Sequence, residues 1–400
     1  MTTQDEFRTY VRGFEPRASF PHTETLERLA TCVLQLQKEE RMVRTQRLIA
    51  RFRGKPCIGI QIDMWTDTET HTAFAAITQT TCEEPENAIS DTAQLYLRSD
   101  VVDFDVFPMG PKTGPNIKKW FQNVLVENKI PYSAISGVTP DGAADGHCAL
   151  QLIPEISEKV DTCILHQLQR GVLYSVGLAG VQSKNPDAKS LLRKHNRVVT
   201  LSRQALAFGK SLVTAQSKAG VPAKHLLTLQ KTATTRWGNQ YQQLNRNCIL
   251  RVAIDSELQA YKQENRQNKE AIVEANESES GSKAGTPVPA SDIGLESDDW
   301  DKSQELESFL SYPFDIKETI EHSGICTASQ AMILLHDLKS DFCSSVAPLA
   351  VKVFPPSLDI SQRERAEKIR EAEELHTVVQ TARAVLRDEL DSRIFFSSPF

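Results

Sequence analysis

The period of apolar and polar positions changes along the chain, and those changes mark out its elements. In CIGIQIDM (57–64), Ile58, Ile60 and Ile62 fall on alternate positions, the period-two pattern of a half-buried strand. THTAFAAITQTT (70–81) and DTAQLYLRSDVV (91–102) are rich in β-branched and aromatic residues and are separated by the turn-forming CEEPENAIS. They predict two further strands of an antiparallel meander. From Thr113 the spacing lengthens: Ile117, Trp120, Phe121, Val124 and Leu125 recur at helical intervals. A short strand, YSAISGVTP (132–140), a small-residue helix start, DGAADGHCALQLI, and another apolar run, DTCILHQL (161–168), follow. The predicted order is β-β-β-α-β-α-β, an α/β core with a mixed five-stranded sheet.

Beyond this core the pattern is helical. Residues 186–262 read as helices, with Asn185-Pro186 as a start signal and Gly220 to Pro222 as a break. Residues 264–308 hold 12 acids and four bases and include ANESESGSKAGTPVPASD, so roughly 275–295 is expected to be a disordered linker or loop. Helices resume near Asp301. A last long helix is expected to open with the capping box Ser361-x-x-Glu364, just after Pro355-Pro356. Its apolar positions, 366, 369, 372, 375, 379, 382, 386 and 390, step by three or four and predict a core-facing stripe. The predicted organisation is a helical segment (1–52), the α/β core (53–183), a basic helical region (184–262), an acidic, partly disordered linker (263–300) and a C-terminal helical region (301–400).

Composition narrows the function. The 400 residues are 40% hydrophobic and 24% charged, an ordinary globular balance. No apolar run reaches the roughly 18 residues of a spanning helix, and MTTQDEFRTYVRGFEPR lacks the pattern of a secretory leader. Eight scattered cysteines, with no C-x-x-C pair, point to a reducing, intracellular setting. The net charge of −6 disfavours a protein that coats nucleic acid, but its distribution is uneven. Lys184 to Arg251 contains 13 Lys/Arg and a single acid, Asp187. Such a block suggests a surface for phosphates, or simply a helical region with solvated basic side chains.

Candidate chemistry centres on two carboxylates. Asp63 ends the first strand in QIDMWTD, and Asp141 ends the fourth in GVTPDGAADG. Either one alone reads as a turn or helix cap. If the fourth strand lies beside the first, both acids emerge at one edge of the sheet. There they can hold divalent cations for phosphodiester chemistry, and Mg²⁺ suits such hard oxygen ligands. Cys163 and His166 form a C-x-x-H that can be half of a zinc site, with His147-Cys148 as the other half. A cysteine in an apolar strand, however, usually just packs.

The ordered motifs resemble those of the hAT superfamily of DNA transposases. FRTYVRGFEPRASFPHTETL (7–26) is similar to that family's segment ahead of its catalytic fold, and IGIQIDMWTD to its D-x-W-T-S motif, with Asp67 in place of Ser. KTGPNI (112–117) is similar to its H-T-G-x-N-I element, with Lys112 in place of His. GVTPDGAADG, CILHQLQRGV and TTRWGNQYQQL (234–244) resemble its second-aspartate, C-x-x-H and T-R-W elements, and weaker similarity continues through SYPFDIKETIEHSGICTASQA.

The resemblance implies a ribonuclease-H-like catalytic core interrupted by helices, with Asp63 and Asp141 as catalytic ligands of Mg²⁺ or Mn²⁺. It implies that Arg236 and Trp237 contact DNA, the indole stacking on a displaced base, with a buried helix anchor as the other reading of Trp237. Cys163 and His166 would be structural residues near the site. DNA, further copies of the chain through its helical regions, and a nuclear location are implied as well.

The family's third acid, a Glu in an S-x-x-E-R-x-F-S helix, has no counterpart up to Phe400. Glu371, Glu373, Glu374 and Glu389 are the acids in its place, without that signature. Nor is there an N-terminal Cys/His zinc finger or the family's C-terminal dimerisation region. The expectation is ancestral DNA strand cleavage and transfer, impaired for want of the third ligand. The alternatives are a catalytically inactive DNA-binding or regulatory protein, and a nuclease that shares only the fold.

Overall fold

The computed structural model describes residues 23–67, 69–83, 96–141, 144–204, 206–218, 226–229, 237–276, 294–322, 328–353 and 366–395. The chain divides into two compact units, Met1–Cys163 and Ile164–Phe400. The first is mixed α/β, with a helix α1 (Thr23–Arg51) followed by strands β1 (Ile58–Thr66), β2 (Ala73–Glu83) and β3 (Tyr96–Val106). Helix α2 (Gly114–Glu127), strand β4 (Ile135–Pro140) and helix α3 (Ala144–Gln151) complete it. The sheet has four strands in the order β3-β2-β1-β4. β1 and β2 pair antiparallel, as do β2 and β3, whereas β1 and β4 run parallel.

Alternation along β1 decides which face is covered. Ile58, Ile60 and Ile62 are buried with Ala75 and Ile77 of β2, beneath all five apolar residues of α2 named from its spacing. Phe121 is fully buried there, and Trp120 meets Phe107 edge-on while its Nε1–H donates to Asp103 at 3.1 Å. At the opposite end of that face α1 adds polar contacts. Arg41 donates to the Val101 carbonyl and to Asn128 Oδ1, Gln79 donates to Thr45 at 2.9 Å, and Arg44 pairs with Asp100 and Glu83.

The predicted third strand is found four to five residues further on, at Tyr96–Val106, and residues 91–95 lie outside the described residues. The predicted fifth strand, 161–168, is corrected. It shrinks to a single parallel bridge from Val160 to Val138, and Ile164–Ser175 forms helix α4 instead. An eight-residue apolar window cannot separate strand from helix. The continuation does so, because Leu168, Gly171, Val172 and Ser175 are the residues α4 buries, at helical spacing.

The second unit is mostly helical: α4, α5 (Pro186–Gln204), α6 (Leu206–Lys218), α7 (Trp237–Ile249), α8 (Arg251–Asn276), α9 (Ser297–His322), α10 (Ala328–Asp337) and α11 (Thr377–Leu390). It also holds an antiparallel pair, β5 (Leu349–Val353) with β6 (Ala366–Arg370), inside the region expected to be wholly helical. The single long C-terminal helix is therefore corrected as well. Ala366 and Ile369 lie on β6 and are exposed, Ala372 and Leu375 are buried in the connection, and only Val379, Ala382, Leu386 and Leu390 form a helical stripe. A three-or-four spacing was satisfied across a strand and a turn by coincidence. Ser361 and Glu364 lie outside the described residues. α8 continues to Asn276 and α9 begins at Ser297, so both helices extend into the expected linker. No described helix is long and apolar enough to cross a membrane.

Buried polar groups fasten the second unit. Glu305, fully buried on α9, accepts from Arg370 and from the His376 backbone N–H at 2.8 Å, tying β6 and the start of α11 to α9. His195 of α5 accepts from Asn247 at Nδ1 (3.1 Å), so its Nε2–H donates to Ser303 (2.7 Å), whose hydroxyl passes on to the Asp299 carbonyl. This network serves a neutral imidazole, and burial pushes its pKa down to about 4.

Two outcomes follow. Phe121→Ala should lower unfolding free energy by about 3–5 kcal/mol in denaturant titrations, whereas Val126→Ala, on the exposed side of α2, should change it little. For His195, the unfolded chain takes up the proton first as pH falls below the ordinary value of about 6.5. Stability held above that pH should then decline toward pH 4 by about 3 kcal/mol. Denaturant midpoints across that range should fall less steeply in His195→Asn. Equal slopes would remove His195 as the cause.

Candidate active site

The site is built by the parallel pairing of β1 with β4. Gln61 lies opposite Thr139 and Ile62 opposite Pro140, and the Asp141 N–H donates to the Ile62 carbonyl at 2.9 Å. Asp141 is thus held against the residue that precedes Asp63, just past the end of β4; β1 itself runs on to Thr66, so Asp63 lies within the strand rather than ending it as its sequence suggested. Ile62 and Pro140 are buried; Asp63 is exposed and Asp141 half-buried. The alternation of β1 places Asp63 on the sheet face opposite the isoleucines. The condition set for the two acids, that the fourth strand lie beside the first, is met by the β1–β4 pairing.

An aromatic surface adjoins Asp63, and the sequence reading missed it. Asp63 pairs across the strands with Ala76 and then Phe104, and Trp65 pairs with Phe74 and then Val106. Trp65 stacks on Phe74 with ring centroids 5.6 Å apart and tilts against Phe104 at 5.7 Å. Phe104 is 63% exposed, and Val101 and Val106 are exposed beside it. The signal was present in the sequence: Asp63 and Trp65 are two residues apart in a strand, and so share a face.

Other motif residues have local structural roles. Asp67 accepts from the Thr70 hydroxyl at 2.6 Å and from the backbone N–H groups of Glu69 and Thr70, closing the β1–β2 connection. The Thr70 hydroxyl is the main cause of a carboxyl pKa below the usual range. In KTGPNI, Pro115 sits in the first turn of α2, and Asn116 donates to the Met109 and Pro111 carbonyls at 2.9 and 3.0 Å, pinning the incoming loop. Cys163 closes the first unit as a half-buried cysteine outside any disulfide, and His166 lies in the first turn of α4. Among the described residues, no group of three or more His, Cys, Asp or Glu could hold a metal ion, which leaves the zinc reading of Cys163, His166, His147 and Cys148 without a cluster.

In the second unit Trp237 opens α7 and is only 3% exposed. Its indole packs edge-on against Phe314 at 6.0 Å, and Tyr241 covers the same ring at 4.7 Å. Of the two readings of Trp237, this packing favours the helix anchor over base stacking. Arg236 lies outside the described residues. The basic block is partly neutralised within its own unit: Lys184 pairs with Glu389 at 2.5 Å, Lys194 with Asp299 at 2.7 Å, and Arg251 with Asp255 and Asp301. Glu389 is buried and also accepts from Arg393, so it serves as a structural counter-ion. Glu371 precedes, and Glu373 and Glu374 lie in, the short 3₁₀ turn Ala372–Glu374. No protein-family model matches the chain, and no curated protein matches it significantly.

Trp237→Ala should destabilise the protein by about 3–5 kcal/mol, and Trp237→Phe by much less, in denaturant melts. A Trp237→Phe variant that kept its stability but lost DNA affinity would return the indole to a nucleic-acid surface.

Proposed function

We propose that the chain is a hAT-transposase-like protein with a ribonuclease-H-like core, whose ancestral activity is metal-dependent cleavage and transfer of DNA strands. The observation that supports this reading is the backbone hydrogen bond from the Asp141 N–H to the Ile62 carbonyl, which fixes Asp141 beside the residue that precedes Asp63. The strand order β3-β2-β1-β4 is compatible with such a core, although the described sheet has four strands and only the single parallel bridge of Val160 to Val138 lies where a fifth would run. The ordered motifs of the sequence supply the family.

Asp63 and Asp141 are the hard oxygen donors that Mg²⁺ or Mn²⁺ takes, and they would hold it. Such an ion, when bound, activates an attacking hydroxyl and stabilises the leaving oxygen. The fit is partial, because no third acid joins the two carboxylates among the described residues. Glu389 is engaged by Lys184 and Arg393. Two carboxylates alone orient an ion poorly, so cleavage is impaired. The same observation favours the second reading, a catalytically inactive DNA-binding or regulatory derivative. DNA is the proposed partner in both, together with self-association through helical regions and a nuclear location.

The expected result is binding of duplex DNA that weakens steeply with salt, accompanied by slow Mn²⁺-dependent nicking. Asp63→Asn should abolish nicking and leave binding intact. Binding without any nicking by the unaltered protein would select the second reading. Absence of salt-dependent binding would overturn both.

A further inference from the structure

A cavity of about 230 Å³ opens in the second unit between α11, the turn before it and the loop ahead of β5, lined by Arg383, Arg387, Gln380, Glu373, Ser345 and Cys343 among others. Arg383 is 3% exposed. Its Nη1 and Nη2 donate to the carbonyls of Ala347 (2.5 Å) and Pro348 (3.2 Å), and its guanidinium lies 5.6 Å from the Phe342 ring. Its Nε is buried and has no hydrogen-bond partner among the described residues. Among the described residues no carboxylate forms an ion pair with Arg383. Glu305, a fully buried acid whose charge reaches Arg383, is already engaged by Arg370 and the His376 backbone N–H. Cys343 offers no charge, because burial pushes its thiol up to about 12.

A guanidinium remains protonated at any physiological pH. An interior cation with no acid bonded to it is strongly unfavourable unless an anion comes near enough to balance its charge. Arg387 lies one helical turn beyond Arg383 and lines the same cavity, so two planar donor groups converge on one space. Arginine pairs with oxyanions through parallel N–H bonds, and phosphate, with several acceptor oxygens, can bridge two such groups. Glu373 contributes one negative charge against the two positive ones, leaving the lining net cationic. The volume is below the range for drug-sized ligands, and it admits a phosphoryl group with a small substituent but not a duplex.

We propose that this cavity is a binding site for a phosphoryl group, either inorganic phosphate or a small phosphomonoester. Arg383 is its fixed donor, Arg387 its second donor at the rim, and Glu373 tempers its affinity. The site is separate from Asp63 and Asp141, and its occupancy is independent of the transposase reading.

The test is calorimetric titration and thermal melting of the full chain with inorganic phosphate, against sodium chloride at matched ionic strength. Saturable binding and a rise in melting temperature are expected with phosphate alone. Arg387→Gln, a partly exposed position, should keep the unliganded melting temperature and weaken phosphate binding at least tenfold. Glu373→Gln should tighten binding several-fold, and Asp63→Asn should leave it unchanged. Glycerol phosphate, a small phosphomonoester, binding more tightly than phosphate would assign the ester; equal or weaker binding would assign the free ion. Equal stabilisation by chloride, or undiminished phosphate binding in Arg387→Gln, would overturn the site. So would a Glu373→Gln variant that melts lower without tighter binding, since Glu373 would then be the counter-ion of Arg383.

Discussion

The parallel pairing of β1 with β4 is the constraint on which the candidate site depends. A parallel pair cannot be made by a hairpin; the chain must leave the sheet, cross it and return. The crossing element is α2, whose five buried side chains lock over Ile58, Ile60 and Ile62. Those isoleucines commit the odd-numbered positions of β1 to the other face, Asp63 among them. Register then does the rest: once Ile62 lies opposite Pro140, Asp141 has its backbone fixed on Ile62 and falls beside Asp63. A one-residue slip would turn Asp63 toward the apolar layer, so core packing and site geometry are a single requirement.

The second unit is organised differently, around charges and polar groups that burial makes expensive to leave unmatched. Glu305 joins α9 to β6 and α11 through Arg370 and His376, His195 links α5 to α7 and α9 through Asn247 and Ser303, and Glu389 joins Lys184 to Arg393. Each network fixes which helices become neighbours, because a different pairing would strand the buried group. The basic segment and the acidic segment that follows it, which read as opposite extremes of charge along the chain, partly cancel here through Lys194–Asp299 and Arg251–Asp301. Arg383 stands outside this pattern as a buried cation held by carbonyl oxygens and an aromatic ring.

Several elements could be read from local pattern because one physical period governed them. β1 and α2 each bury one side of a regular repeat, and their core residues emerged where the spacing put them. The pattern misled where two structures shared it. The 161–168 run became a helix because the residues after it continued at helical spacing. The 366–390 stripe was split between a strand, a turn and α11, since a three-or-four interval does not require a continuous helix. Trp237 could not be assigned from its motif, because a tryptophan beside an arginine looks the same whether the indole faces solvent or, as here, Phe314.

By itself the sequence determined the α/β character of the first unit, the faces of β1 and α2, including the face that carries Asp63, and the place of Asp141 at the end of β4, all of which follow from side-chain periodicity over a few residues. Only the tertiary structure decided that β4 lies beside β1, that Trp65, Phe74 and Phe104 gather next to Asp63, that Glu389 is spent on an ion pair, and that Arg383 borders a cavity with no acid of the described residues bonded to it. The physical reason is distance along the chain. These facts are contacts between residues that lie from nine to some two hundred positions apart, and they are set by how sheets and helices pack, which no local repeat encodes.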